Sequence, residues 1–158
     1  MASIQHASQL NSPRLRDAFA YWDSKRAGRT MPSRADIDPV EIPALLRFLM
    51  LIDVIAAPPD FRYRLIGTAI RNISRADYTG RRFSELSDKG PGSVVWKGCA
   101  EVVRTQAPVS EPPPYVGPEK VLRGCDNVLL PLSDDPSRVT MILKVVSFDE
   151  PRVAGLRI

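Results

Sequence analysis

Three consecutive prolines, Pro112-Pro113-Pro114, sit between a helical stretch and the last apolar segments of this chain. Proline has no N–H to give a sheet ladder, so any strand that includes this segment lies at a sheet edge. The segments after it define what that edge borders. Lys120 to Leu132 and Arg138 to Phe148 are rich in Val, Leu and Ile, and Ser133-Asp134-Asp135-Pro136-Ser137 between them is a turn sequence, so the two form a hairpin. Two further strands precede the prolines. Arg47 to Ile55 is apolar enough to be buried on both faces; Pro58-Pro59-Asp60 turns the chain, and Phe61 to Leu65 alternates with a period of two. That alternation predicts Phe61, Tyr63 and Leu65 on a buried face and Arg62, Arg64 and Ile66 on a partly wet one.

Helices fill the intervals. Ser12-Pro13 starts a helix whose Leu15, Ala18, Phe19 and Trp22 form one apolar stripe, ending near Gly28. The stripe either covers the main sheet or pairs with a second copy of the chain, which makes Leu15, Phe19 and Trp22 candidate dimer or partner contacts. Asp38-Pro39-Val40-Glu41 has the spacing of a capping box and predicts a short helix. Ala69 to Arg75 reads as another. In Ser93 to Gln106, Val95, Cys99, Val102 and Val103 recur at helical intervals until Pro108 stops the run. The whole is an α+β pattern without internal repeats: a flexible N-terminus (1–12), one domain (13–149) and a C-terminal tail (150–158).

Composition narrows the class. Hydrophobic residues are 44% and charged residues 25% of 158, an ordinary globular balance. The most apolar stretch, Ala44 to Ala57, is interrupted by Arg47 and Asp53 and is shorter than the ~20 residues of a membrane-spanning helix. No secretory signal is visible, which predicts a cytoplasmic protein without membrane attachment. The net charge is +4, but the basic residues do not cluster, so nucleic acid is not an expected partner. Cys99 and Cys125 are too few for a disulfide scaffold or, alone, for a tetrahedral zinc site.

Several groups of residues resemble a known family. Trp22, Gly28-Arg29, Pro32-Ser33-Arg34, Asp36-Ile37-Asp38-Pro39, Leu45-Leu46, Arg62-Tyr63-Arg64-Leu65-Ile66-Gly67-Thr68, Thr79-Gly80-Arg81 and Leu130-Pro131-Leu132 are similar to a bacterial family of stand-alone PAS proteins, over roughly Leu15 to Phe148. The resemblance implies a five-stranded antiparallel sheet of order 2-1-5-4-3, with the third strand at an edge, short helices over one face and a small pocket between. It implies sensing or protein contact, and no particular ligand.

Catalytic chemistry has little to draw on. The one histidine, His6, precedes the first helix, so a Ser-His-Asp triad, a Cys-His pair, a multi-histidine metal site and a histidine-ligated haem all lack their imidazole within the domain. No phosphate loop is present, and neither cysteine reproduces the Asn-Cys-Arg motif of flavin-adduct photosensors. The cofactor, if there is one, is unknown. Asp36 with Asp38 and Asp134 with Asp135 lie in turns, where Asp caps and bends the chain. Tyr63, Tyr78, Phe83, Trp96 and Cys99 either line a pocket between sheet and helices or are core. Arg64, on a strand beside Tyr63, either pairs with an acid such as Asp53 or Asp126 or presents its fork to an anion. The leading reading is a non-catalytic sensor or adaptor that binds a small molecule or a protein partner and signals in trans, as a homodimer or by docking. The alternatives are a small enzyme using the same cavity, which requires a buried acid near Tyr63 or Tyr78, and a purely structural interaction module with a filled core.

Overall fold

A computed structural model of the chain describes residues 1–111 and 125–149. The triple proline and the expected tail at 150–158 lie outside the described residues. Among these residues six strands form one antiparallel sheet: β1 (Ala2–Ser3), β2 (Leu49–Ile55), β3 (Asp60–Ile66), β4 (Val109–Ser110), β5 (Asp126–Leu132) and β6 (Met141–Ser147), in the order β1-β4-β5-β6-β2-β3. Without β1 this is the expected 2-1-5-4-3 arrangement read from the other side. The addition is β1, which pairs Ala2 with Ser110 and Ser3 with Val109. The N-terminus therefore departs from a free segment: Ile4 and Leu10 are buried in the core, and the edge expected of the third strand carries a further two-residue strand. A single apolar side chain buried in this way contributes roughly 1.5–3 kcal/mol, which offsets the entropy lost by holding a terminus.

Among the described residues three α-helices pack on the sheet: α1 (Pro13–Arg26), α2 (Thr68–Ser74) and α3 (Val94–Thr105). The Asp38 carboxylate accepts from the Val40 N–H at 2.9 Å, as a cap should, but Pro43 and Pro39 keep the following segment to short 3-10 turns at Pro39–Glu41 and Leu46–Phe48. The ladder separates the two faces of the sheet. Ser147 stands opposite Asp126 and Leu129 opposite Lys144, so Ser147 and Leu129 project to opposite sides. The Ser12 hydroxyl before α1 bonds the Ser147 hydroxyl at 2.6 Å, whereas Gly98 of α3 lies against Leu129; α1 and α3 thus sandwich the sheet.

The α1 stripe is consumed inside the molecule. Leu15, Phe19 and Trp22 are 1%, 6% and 2% exposed, and the Trp22 indole N–H donates to the Pro131 carbonyl at 2.8 Å. Dimerisation through this stripe is overturned, because opening it would expose three large apolar groups and leave a buried donor without its acceptor.

One strand face also differs from the simple alternation. Ile52 stands opposite Tyr63 and Leu51 opposite Leu65, so Arg64 is an extra residue, a β-bulge. Ile52 and Leu51 point to opposite faces, and Tyr63 and Leu65 must follow them. Ile66 is consequently buried at 7% and Leu65 exposed at 43%, the reverse of the expected assignment.

Candidate functional site

On the α3 side of the sheet the five expected non-arginine pocket residues come together, as packing. The Tyr63 and Phe83 rings are 4.6 Å apart, Phe61 and Phe83 5.5 Å, Phe61 and Trp96 5.0 Å edge-on, and Tyr78 stacks on Tyr63 at 6.4 Å. Such distances are those of favourable aromatic pairs in contact, and the rings occupy one another's free faces. Phe83 and Cys99 are each 1% exposed. Burial pushes the Cys99 thiol up to about 12, assisted by the charge of Glu111 and opposed by Lys144, so it is an unreactive core side chain at neutral pH. Burial also raises the Tyr63 phenol, with Cys99 and Glu111 adding to it.

Beside this cluster lies a charged pair that reasoning from sequence missed. Glu111 and Lys144 form a salt bridge with side chains 0% and 7% exposed. Asn127 holds the Glu111 backbone at both groups, accepting from its N–H at 3.0 Å and donating to its carbonyl at 3.1 Å. The second carboxylate oxygen of Glu111 is buried without a hydrogen-bond partner. It lies against Gly98, where a β-carbon on α3 would meet it, so any larger residue at this helix position must displace the Glu111 carboxylate. The available signal was Lys144 itself: a lone charge within the apolar run Met141–Ser147 needs a partner.

The opposite face holds a groove of about 650 Å³ between the 34–47 segment and the β2–β3 end of the sheet. Its floor includes Leu49, Leu51 and Leu143, which share this face, and its mouth includes Leu46 and the bulge residue Arg64 with Leu65. Gly67 closes one end: its α-carbon lies so near the Leu46 and Arg47 carbonyl oxygens that no side chain fits. Among the described residues four arginines, Arg34, Arg47, Arg64 and Arg71, and one carboxylate, Asp77, line the groove. Arg64 reaches Asp53 through Nε at 2.7 Å, and Arg62 bonds the other Asp53 oxygen at 2.9 Å. Arg71 meets Asp77 at 3.3 Å, while its own Nε–H is buried without an acceptor.

A family model described as PAS domain matches residues 10–146. The chain belongs to the PAS domain family. No curated protein and no solved structure matches it. As a PAS domain it is a sensor or interaction module in general terms. The sheet order fits that assignment, and the family match spans α1 and the sheet from β2 to β6, all but the last residue of β6, while β1 lies outside it.

Within this PAS domain the expected site residues divide. Tyr63, Tyr78, Phe83, Trp96 and Cys99 are gathered under α3 in the core, whereas Arg64 stands on the far face and pairs with Asp53 while lining the groove. Arg34, Arg47 and Arg71 were not singled out, because the groove joins segments far apart in sequence and no local pattern marks it. Among the described residues no group of three or more His, Cys, Asp or Glu side chains is placed to hold a metal ion, and no helix is long and apolar enough to cross a membrane.

Proposed function

We propose that this PAS domain senses a small molecule through the groove on its α1 face, rather than through the space under α3, and passes the occupied state to a protein partner by contact. One observation carries the reading. Among the described residues the α3 side is packed by aromatic rings in mutual contact, while the groove has an apolar floor, an open mouth and a volume inside the roughly 300–1,000 Å³ of small-molecule sites. Its walls come from two elements that a ligand would bridge: the 3-10 turn at Leu46–Phe48 and the start of α2 at Thr68. Occupancy would set how these pack on the sheet, and that is the change a partner reads. We take the partner to act in trans and the compartment to be the cytoplasm. The enzyme alternative finds a buried acid in Glu111, whose charge reaches Tyr63, but that acid is committed to Lys144.

Thermal denaturation of the full chain across a metabolite panel tests the reading, with Leu65→Trp as the control that fills the mouth from an exposed position. At least one compound should raise the melting temperature of the parent and leave the variant unmoved. A panel without shifts, or shifts equal in both proteins, overturns it in favour of a purely structural interaction module.

A further inference from the structure

Resting on the groove reading, we infer that the groove's ligand is an amphiphilic anion: a carboxylate or phosphate-monoester head on an aliphatic body. Two independent observations point to the head. The first is charge: among the described residues four arginines and one acid line the groove, and the carboxylate that Arg64 meets outside it, Asp53, is shared with Arg62. The arginines are not all spent internally: Arg64 uses Nε on Asp53, and its side chain is still 53% exposed. The second is an unmet bond. Arg71 donates to Asp77 through Nη1 only at 3.3 Å and its Nε–H has no acceptor, while the side chain as a whole is 40% exposed, so the guanidinium can turn its Nε edge to an oxyanion in the groove. A buried donor of this kind is costly until an acceptor reaches it, and a guanidinium edge presents paired N–H groups matched to two oxygens of an oxyanion.

The body follows from the floor. Leu49, Leu51 and Leu143 line the groove with Leu46 and Leu65, and the last two are 37% and 43% exposed. Large leucines left in water beside arginines gain from an apolar chain that covers them. A highly charged polyanion would leave this floor uncovered, and a plain hydrocarbon would leave Arg71 unsatisfied.

Calorimetric titration of the full chain with octanoate, octyl phosphate, octanol and inorganic phosphate separates the two contributions. Octanoate or octyl phosphate should bind at least about tenfold more tightly than octanol and than inorganic phosphate, the factor expected for one charge-assisted hydrogen bond. The tighter of the two anions identifies the head. Arg71→Met should lose about that factor for the anions and leave octanol unchanged; Arg64→Met should lose less, and Arg64→Lys should restore part of it. Anion affinity should fall as salt is raised. Octanol binding as tightly as the anions, with all binding lost in Leu65→Trp, overturns the anionic head and leaves the groove reading intact. Anion binding indifferent to both arginine variants, or no binding by any of the four compounds, also overturns it. The metabolite panel judges the groove reading separately.

Discussion

Glu111 and Lys144 concentrate more electrostatic consequence than any other two residues described. Two charges taken out of water are offset by their attraction only while both remain, so losing one strands the other. Glu111→Gln and Lys144→Met should each destabilise the fold by about 3–5 kcal/mol, while the double variant should recover most of that loss. Urea unfolding of the four proteins measures the coupling, and additive losses would show that the two side chains do not act as a pair. Asp36 governs a different condition. The Ser33 backbone N–H, then the Arg29 guanidinium and the Ser33 hydroxyl, hold its carboxyl at about 2 against an ordinary 3.8. The folded value is the lower one, so between these two pH values the unfolded chain binds more protons. The Asp36 contribution is therefore fully present above the ordinary value and disappears as pH falls through about 2. Asp36→Asn should flatten the acid limb of stability in that window, read from urea midpoints at successive pH values; a limb parallel to the parent's would exonerate Asp36.

Elements show where sequence reasoning succeeds and where it stops. The α1 stripe, the β5–β6 hairpin and the α3 periodicity were legible because each is a local pattern whose buried face is written at a fixed spacing. The stripe's partner was not legible, since Leu15 and Phe19 cover apolar surface equally well on a sheet or on a second copy; the Trp22 bond to Pro131 decides it. The β3 bulge was hidden for a related reason. Alternation along Phe61 to Ile66 is regular in the sequence, and only the register against Leu51 and Ile52 makes Arg64 the extra residue. That slip turns Leu65 outward beside Arg64 and so creates the groove mouth. The aromatic residues grouped from sequence do lie in contact, but composition does not tell rings that line a space from rings that pack on one another; the ring separations show the packing.

At the scale of the whole molecule, a sheet between two helical layers leaves two edges to protect. The β3 edge is met by the 80–82 segment: Tyr63 donates to the Arg81 carbonyl at 3.1 Å and accepts from the Gly80 N–H, and Arg62 bridges Arg82. The other edge is β4, only two residues long, and its cover is the chain's own N-terminus. Ala2 and Ser3 pair with it, the Ile4 N–H donates to the Pro108 carbonyl at 2.9 Å, and Ile4 and Leu10 are inserted into the core. Deleting residues 1–10 removes the strand and both anchors at once. The shortened chain should lose about 3–5 kcal/mol, somewhat less than full burial of two large aliphatic side chains would contribute, because the terminus is no longer held in place. Its β4 edge should then recruit a second copy, so light scattering should show association that rises with concentration while the parent's mass holds constant. If the deletion variant keeps both the parent's stability and its mass, the N-terminal strand is an ornament on the sheet and the edge is protected by other means.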